Sequence, residues 1–417
     1  MFVIKIGLLG FGTVNSGVYE GITDTIEFLE HHLQEAICVE KILIRDKKRY
    51  LSLENIELVT DSPDDFFKHD FDVVFEAMGG EQPALDYITF LLTKKVPVIT
   101  ANKELVAKHG PLLESLAIKN ETYLGFEAAV AGGIPIINTL NSQLQWTSVE
   151  KVSGILNGTT NYIMTKLQEG TRTFDSVLKE AQDLGFAEAD PTADIEGFDV
   201  LYKLQILCRL CFGNWPKPEQ FQRRGMSQLK SWHFKAGEYF NLKLKYIAEA
   251  YYDGKEVKGS ISPSFIEESH PLRSIDNENN GVYLQGEWLG NFVASGPGAG
   301  KKPTATSMIE DFLHQLKRKS YHQQVAKRKE GSVASDQEYL LLFDMKDEKE
   351  VYQSLKEVTY TREEIVQFEN NSKVALLITV DSLAPSITRI KPLEAFPVLR
   401  VNKKLQRQKG NIQMKAL

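Results

Sequence analysis

Short apolar runs alternate with helical stretches from the start of the chain to about Val130. Strands are predicted at Val3 to Leu9, Cys38 to Ile44, Asp72 to Phe75, Val96 to Thr100 and Thr122 to Phe126. Strands that alternate with helices are typical of a parallel sheet, because each crossover helix covers a face of the sheet. The pattern therefore predicts an α/β domain with a doubly wound parallel sheet over residues 1–133.

The pattern changes after about Ala131 to that of a mixed α+β domain, which we predict over residues 134–302. Its later strands are predicted at Lys245 to Ala250, Val257 to Ile261 and Gly281 to Trp288. A loop rich in glycine and proline, residues 296–305, then leads into a helix over Ser307 to Leu316. We expect this helix, within 303–316, to return to the first domain and Gly300 to approach a bound cofactor.

The C-terminal part of the chain predicts three further pieces. Residues 317–333 are polar and strongly basic, which favours a solvated linker. The apolar runs Glu338 to Asp344 and Val374 to Val380 flank a helical stretch and predict a small βαβ-type unit within 334–402. Residues 403–417 are predicted to form a flexible tail.

The composition is that of an ordinary globular protein, with 42% hydrophobic and 25% charged residues among 417. The formal net charge of −7 argues against nucleic-acid binding, because phosphate neutralisation requires a basic surface. The three cysteines lie in apolar surroundings without metal-ligand spacing, and neither a secretory signal nor a membrane-spanning run is found. We therefore expect a cytoplasmic protein that acts on a small molecule and binds neither nucleic acid nor membrane.

A glycine-rich motif, Gly10-Phe11-Gly12-Thr13-Val14-Asn15, follows the first predicted strand and opens a helix. Glycine permits the tight turn and the close approach of the backbone to a pyrophosphate, which the amides at the helix N-terminus bind. Asn15 stands where the G-x-G-x-x-G fingerprint has its third glycine. The position of the motif still favours a dinucleotide-binding Rossmann domain, with cofactor contacts from Gly10, Phe11, Gly12, Thr13 and Val14.

A basic segment, Arg45-Asp46-Lys47-Lys48-Arg49, follows the second predicted strand. An acidic residue that binds the ribose of NAD is usual at this place, whereas cations suit the 2′-phosphate of NADP. Arg45 and Lys47 are therefore candidate contacts to NADP. The alternative is a solvated loop after the sheet, which leaves NAD possible.

Carboxylates are concentrated before an apolar helix in the middle of the chain. Asp199 and Lys203 stand at i and i+4, so they share one face of a helix, and Glu188 and Asp194 lie in the loop that precedes it. Taken alone, Asp199 and Lys203 could be a solvated ion pair worth a few tenths of a kcal/mol. The neighbouring carboxylates favour a binding site, because loops on a rigid scaffold commonly carry binding groups.

Five motifs in order make residues 1–316 resemble the homoserine dehydrogenase family. They are the glycine motif, Thr100-Ala101-Asn102-Lys103, the segment Phe126 to Pro135, the segment Gly154 to Asn161, and the segment Glu188 to Lys203. The resemblance implies the NAD(P)-dependent interconversion of L-homoserine and L-aspartate 4-semialdehyde in threonine, methionine and isoleucine biosynthesis. It also implies that residues 134–302 form a catalytic and dimerisation domain, and hence a homodimer or higher homo-oligomer.

The resemblance also assigns roles to individual residues. Lys203 is implied as the proton donor and acceptor at the alcohol oxygen, and Lys103 as the cation beside the nicotinamide and the reacting oxygen. Glu188 is implied to bind the substrate amino group, while Asp194 and Asp199 orient the substrate and Lys203. Thr100 is a further candidate for cofactor binding and Gly185 for substrate binding, whereas Asp190 is interpreted as a turn residue before Pro191.

The family also holds a monovalent cation, usually sodium, in the loop that matches Glu127 to Ile134. The implied ligands are the carboxylate of Glu127 and the backbone carbonyls of Val130, Gly132 and Ile134, which are the hard oxygens that sodium prefers. The alternative is a glycine-rich crossover that holds no ion. The C-terminal unit resembles an ACT regulatory domain only in a degenerate form, since Met345 to Val351 lacks a Pro-Gly turn, so we do not expect threonine to bind there.

Two other functions remain compatible with these motifs. One is a catalytically weak sensor that binds NADP or an amino acid. The other is a Rossmann oxidoreductase that acts on a related amino-acid aldehyde.

Overall fold

The structure is a computed structural model, which describes residues 3–50, 55–317, 337–356, 358–380 and 393–401. The predicted linker beyond Lys317 and the predicted tail at 403–417 lie outside these residues. The described chain divides into two compact units, each made of three stretches. The first contains residues 3–146, 202–217 and 294–317, and the second contains residues 147–201, 218–293 and those described from 337 onward.

The first unit is built on a six-stranded parallel sheet with the order β3-β2-β1-β4-β5-β6. Its strands are β1 (Val3–Leu9), β2 (Ala36–Leu43), β3 (Val59–Thr60), β4 (Val73–Glu76), β5 (Val98–Thr100) and β6 (Leu124–Gly125). Its helices are α1 (Thr13–Asp24), α2 (Ile26–Leu33), α3 (Pro63–Phe66), α4 (Ala84–Thr93), α5 (Lys103–Lys119) and α6 (Ile136–Ser142). The predicted doubly wound parallel sheet is confirmed.

A late helix, α12 (Lys301–Lys317), completes this first unit by packing against α1. A Cβ at Gly17 would lie 2.8 Å from the carbonyl oxygen of Lys301, so only glycine allows so close an approach. The helix begins before the predicted Ser307, and the prediction of a loop through 305 is wrong for residues 301–305. Pro303 is tolerated there because an N–H in the first helical turn has no intrahelical acceptor.

The second unit contains a ten-stranded mixed sheet, of which the strand β12 begins in the second unit and ends in the first. Its path is β12-β11-β7-β9-β10-β16-β13-β15-β14, with β8 paired to β10. The strands are β7 (Lys151–Ile155), β8 (Phe221–Arg223), β9 (Lys243–Tyr252), β10 (Val257–Ile266), β11 (Asn279–Gly286), β12 (Gly290–Pro297), β13 (Gln337–Asp344), β14 (Tyr360–Phe368), β15 (Lys373–Val380) and β16 (Glu394–Leu399). Trp288 was predicted as strand but lies beyond the end of β11, in the turn that leads to β12.

The helices of the second unit are α7 (Gly158–Gln168), α8 (Phe174–Asp183), α9 (Thr192–Ile195), α11 (Ser231–Glu238) and α13 (Glu348–Leu355). Helix α10 (Phe198–Phe212) begins in the second unit and ends in the first. Across the described residues, no helix combines the length and the apolarity that crossing a bilayer requires.

The C-terminal strands correct the predicted βαβ-type unit. Strand β15 runs antiparallel to β13, and β14 pairs antiparallel with β15, so no parallel crossover is formed. The strand β14 was missed because three consecutive charged residues interrupt its apolar pattern, which an edge strand of a sheet tolerates. Strand β16 pairs with both β10 and β13, so these strands share one sheet with the strands of the preceding region.

Candidate active site

The glycine-rich turn has the geometry of a phosphate-binding loop. Gly10 has φ +85°, and a Cβ there would lie 2.9 Å from the carbonyl oxygen of Ala77, so a larger residue would not fit. Gly12 is the N-cap of α1, and no side chain caps the first amides of the helix. No atom lies within 4 Å of the position that a Cβ would take at Gly12. The amides of Thr13 and Val14 therefore open a helix whose positive end is accessible to an anion.

Asn15 replaces the third fingerprint glycine with a fully buried side chain. Its Nδ2 donates to the carbonyl oxygens of Leu9 at 3.0 Å, Gly10 at 2.9 Å and Phe75 at 3.3 Å. The amide thus joins α1 to the carboxyl ends of β1 and β4, a junction that a glycine would leave to backbone packing alone. Hydrogen bonds from Asn15 therefore stabilise the turn, which still contains Gly10 and Gly12.

The basic segment is held beside the glycine turn by Tyr50. The Tyr50 hydroxyl donates to the carbonyl oxygen of Phe11 at 2.9 Å, and the two rings pack edge to face at 5.8 Å. Arg45 is exposed and Lys47 is half-buried within this segment. Sequence reasoning missed Tyr50, although an aromatic residue directly after the basic run was a signal for an anchor.

A buried carboxylate organises the ends of β4 and β5. Glu76 is fully buried, accepts from the Met78 amide at 2.8 Å and from the Thr100 hydroxyl, and burial raises its pKa. The Thr100 hydroxyl oxygen in turn accepts from the amide of Asn102 at 2.9 Å. Glu76 was missed because the predicted strand stopped at Phe75, yet a single carboxylate ending an apolar run at the ligand edge of such a sheet was the signal.

Lys103 is the first residue of α5, immediately after this network. Asn102 caps α5 by accepting from the amide of Leu105 at 3.2 Å, and its Nδ2 donates to the carbonyl oxygen of Gly80 at 2.7 Å. The backbone on which Lys103 stands is therefore fixed from both the β4 and the β5 strand ends. Gly80 itself has φ +72°, which favours glycine in the turn after β4.

In the second unit, Asn157 brings two of the predicted carboxylates together. Its Nδ2 donates to Asp194 Oδ1 at 2.8 Å and to Asp199 Oδ2 at 2.9 Å. Its Oδ1 accepts from the amide of Thr160 at 2.8 Å and so caps α7. One side chain therefore ties the start of α7 to both acids.

Lys203 follows Asp199 by one turn of α10, and the two residues are 8% and 5% exposed. Residues four apart on a helix share a face, so the ammonium and the carboxylate are neighbours there. The helix starts after Gly197, which has φ +79° and where a Cβ would overlap the hydroxyl of Tyr246. This arrangement provides a nearly buried amine one helical turn from a carboxylate, and an amine of this kind can carry a proton.

Glu188 and Gly185 lie in the loop between α8 and α9. Glu188 is exposed, and only its backbone carbonyl has a described hydrogen bond, from Gln182 Nε2 at 3.1 Å. Gly185 has φ +76° and its amide donates to the carbonyl oxygen of Gln182 at 3.0 Å, so it terminates α8. The Thr159 hydroxyl donates to the carbonyl oxygen of Phe186 at 2.6 Å, which holds this loop against the start of α7.

The loop predicted to hold a cation is buried in the first unit. The two carboxylate oxygens of Glu127 accept from the amides of Ile137 at 2.8 Å and Asn138 at 2.5 Å. The carbonyl oxygen of Gly132 accepts from Ser307 at 2.6 Å, and that of Ile134 accepts from the amide of Ile136 at 2.8 Å. These oxygens keep further lone pairs that a cation could use.

Burial, followed by the nearby carboxylate of Asp311, raises the pKa of Glu127. Asp311 accepts from the amide of Glu127 at 2.8 Å and is itself buried. A positive ion in this loop would offset the cost of two buried acids. Among the described residues no cluster of three or more acidic, cysteine or histidine side chains is suited to a metal ion, so most ligands there would be carbonyls.

Gly300 lies directly before α12, with φ +119°. This left-handed backbone favours glycine at the helix entry. Gly300 remains a candidate residue for contact with the cofactor.

Comparisons with known proteins agree with these features. A family model for homoserine dehydrogenase matches residues 135–313, and a model for the NAD binding domain of homoserine dehydrogenase matches residues 10–127. The homoserine dehydrogenase of Bacillus subtilis is 41% identical over 319 residues, which cover 76% of this chain and 74% of that relative.

Solved structures give the same result over a longer part of the chain. A homoserine dehydrogenase from Thiobacillus denitrificans has a TM-score of 0.86 at 28% identity, covering 96% of this chain and 99% of that one. The homoserine dehydrogenase of S. aureus has a TM-score of 0.79 at 30% identity, covering 96% of this chain and 100% of that one. The chain therefore belongs to the homoserine dehydrogenase family and is an oxidoreductase with a nicotinamide-cofactor domain.

Proposed function

We propose that this enzyme interconverts L-homoserine and L-aspartate 4-semialdehyde, with Lys203 as the proton carrier. The observation that carries the proposal is the hydrogen bonding of Asn157 to Asp194 and Asp199 at the start of the helix that bears Lys203. A bound nicotinamide would accept the hydride from C4 of homoserine in the oxidation and return it in the reduction. In the oxidation the neutral amine of Lys203 accepts the hydroxyl proton and becomes an ammonium, and in the reduction the ammonium returns that proton to the oxygen.

Lys103 serves as the cation that stabilises negative charge developing on the reacting oxygen. Its support is its place at the start of α5, where Thr100 and Asn102 fix the backbone. Thr100 also remains a candidate contact to the cofactor.

Homoserine is a zwitterion, so its site needs anions for the ammonium and donors for the carboxylate. Glu188 is the proposed partner of the ammonium, while Asp194 and Asp199 orient the substrate and Lys203. The start of α7 offers donors for the substrate carboxylate. Gly185, in the same loop as Glu188, is a further candidate for substrate binding.

The proposed preference is for NADP over NAD. Arg45 and Lys47 carry positive charge in the segment after β2, where the 2′-phosphate of NADP would need cations. Tyr50 ties this segment to the glycine turn. The glycine turn fits a pyrophosphate through Gly10, Phe11, Gly12, Thr13 and Val14.

A sodium ion is proposed on Glu127 and the carbonyls of Val130, Gly132 and Ile134, with a structural role. Support comes from the buried acids Glu127 and Asp311, whose charge such an ion would balance. Replacing sodium with tetramethylammonium should lower the melting temperature. An unchanged melting temperature would contradict the proposal.

We further propose a homodimer that acts in the biosynthesis of threonine, methionine and isoleucine. Sedimentation equilibrium measures the mass directly. A purely monomeric mass at micromolar concentration would contradict the dimer.

Initial rates with L-homoserine and either NADP or NAD, followed by the absorbance of the reduced nicotinamide, test the main proposal. Turnover that is selective for homoserine is expected. Turnover of related amino-acid aldehydes without that selectivity would favour the other oxidoreductase. Cofactor binding without turnover would favour a sensor.

A further inference from the structure

A short segment of the second unit, residues 223–227, contacts the loop that leads to the candidate carboxylates. We call it the bridging segment. The Met226 amide donates to the carbonyl oxygen of Ile195 at 3.0 Å, and the Ser227 hydroxyl donates to Glu196 Oε1 at 3.3 Å. Arg223 donates to the carbonyl oxygen of Glu196 and its guanidinium lies 3.7 Å from the ring centroid of Phe198. The bridging segment therefore holds the chain between Asp194 and Asp199.

These two stretches pack closely against each other. Side chains at Gly197 and Gly225 would overlap Tyr246 and Glu196 respectively. The hydroxyl of Tyr246 donates to the carbonyl oxygen of Arg224 at 3.0 Å. A shift of the bridging segment would therefore move the loop that precedes α10 with it.

The side chain of Arg224 connects the same segment to the C-terminal strand β16. Its guanidinium donates to the carbonyl oxygen of Ala395 at 3.0 Å and to Glu394 Oε2 at 3.0 Å, and it lies 4.5 Å from the ring centroid of Phe396. Glu394 also faces Nε2 of the buried His233 at 3.4 Å. The planar guanidinium thus contacts three consecutive residues of one strand: it donates two hydrogen bonds and stacks on one aromatic ring.

We propose that Arg224 is a positioning residue through which the C-terminal strand β16 holds the substrate-binding loop 194–199 in place. The amide of Arg224 donates to the carbonyl oxygen of Ile261 at 2.8 Å, so its backbone is fixed while its side chain holds β16. A change in the position of β16 should therefore change the affinity for the substrate. The inference rests on the proposed function, since it assigns Asp194 and Asp199 to the substrate.

Arg224→Gln in the full-length enzyme tests this link. The substitution removes charge-assisted bonds, so we expect the KM for L-homoserine to rise about 3- to 10-fold. The Kd for NADPH, measured by fluorescence titration, should stay within about twofold, since the glycine turn is not touched. Arg224→Lys keeps the charge and should recover part of the loss.

Arg400→Gln is the matched control. Arg400 follows β16 and pairs with Glu338 at 2.7 Å and Glu267 at 3.5 Å, with no described contact to the bridging segment. Arg400→Gln should leave the KM for L-homoserine and the Kd for NADPH unchanged. Glu394→Gln should reproduce part of the effect of Arg224→Gln, since it removes the charge from one of the Arg224 contacts. The double variant should raise the KM by less than the product of the two single effects, because the two residues share that contact.

A second readout does not depend on turnover. Hydrogen exchange of the amides in 192–198 should be faster in Arg224→Gln than in the parent, and unchanged in Arg400→Gln. Parent-like KM and exchange in a folded Arg224→Gln would overturn the inference, as would an equal loss of NADPH affinity. If the parent enzyme does not oxidise homoserine, the proposed function fails, and the exchange result alone decides whether the bridge exists.

Discussion

The hydroxyl of Thr100 donates a hydrogen bond to the fully buried carboxylate of Glu76. The carboxylate also accepts from the Met78 amide, so one of its oxygens is used by the end of β5 and the other by the turn after β4. These contacts fix the backbone from which Lys103 projects. A defect at Glu76 should therefore be measurable at the active site although Glu76 carries no proposed chemistry.

Glu76→Gln should lower kcat/KM by about tenfold or more, because one of the two donors would face an amide NH2 and remain unsatisfied at a cost of about 1–3 kcal/mol. Steady-state kinetics and urea unfolding measure the two effects separately. Glu81→Gln is the control, since Glu81 is half-exposed and pairs with Lys108 and His109. Equal kinetics for Glu76→Gln and parent would show that Lys103 does not depend on this network.

Lys203→Ala should reduce kcat by about 10²- to 10⁴-fold, which is the usual loss when a positioned acid-base group is removed. The Kd for NADPH should remain near that of the parent. Lys179→Ala, which removes an exposed lysine paired with Asp183, serves as the control. A kcat close to the parent value would exclude Lys203 as the proton carrier.

Glu188→Gln should raise the KM for L-homoserine and leave the KM for the cofactor unchanged, because an anion that faces an ammonium is lost. We expect a rise of about 5- to 50-fold. Asp190→Asn is a control in the same loop, where Asp190 accepts from the amide of Thr192 at 3.1 Å. If both variants behave alike, the effect belongs to the loop and not to Glu188.

Arg45→Ala should raise the KM for NADP and have little effect on the KM for NAD, since only NADP carries the 2′-phosphate. The NADP preference of the parent enzyme should also weaken as salt is added. Lys119→Ala, at the exposed end of α5, is the matched loss of one charge. Equal effects of Arg45→Ala on the two cofactors would make the basic segment a solvated surface loop.

His270 provides a prediction for the pH dependence of stability. Burial lowers the pKa of His270 to about 4, whereas an unfolded histidine titrates near 6.5. Between these values the unfolded chain binds a proton that the native protein does not, so stability falls as pH falls through this window. The loss at pH 5 should be about 2 kcal/mol relative to neutral pH.

His270→Asn should remove that part of the loss, because an Asn side chain does not bind a proton in this pH range. Asn is chosen because it can still accept from the amide of Leu272, as His270 does at 3.2 Å. Urea unfolding at pH 7.5 and pH 5 measures the difference. His32→Asn changes an exposed histidine on α2 and should keep the parental slope. A parental slope in His270→Asn would contradict the prediction.

Much of the first unit could be predicted because its signals are local. The run Val3 to Leu9 is entirely strand, and the glycines at 10 and 12 mark the turn that follows it. The return of α12 to the same unit was expected as well, while its start was placed too late because Pro303 was interpreted as loop. A proline in the first turn is compatible with a helix, and the sequence alone does not distinguish the two cases.

The candidate site shows a similar division. The residue types of Asp194, Asp199 and Lys203 could be recognised from their spacing, whereas the joining role of Asn157 depends on contacts 37 and 42 residues apart. Glu76 was missed although it ends an apolar run, whereas Arg224 could not be assigned, because a single charged residue in a loop has no periodic pattern to reveal its partner. The antiparallel order of the C-terminal strands likewise depends on pairing between distant segments.

Helix α12 has a consequence for how the protein is made. It supplies Asp311, which accepts from the amide of Glu127, 184 residues earlier in the chain. It also packs where Gly17 leaves α1 open, although almost three hundred residues separate Gly17 from Lys301. A ribosome must therefore release the chain beyond Lys317 before the cofactor-binding unit can close. Until then the apolar side of α1 stays uncovered, so fragments that end before Lys301 should require chaperones or aggregate during synthesis.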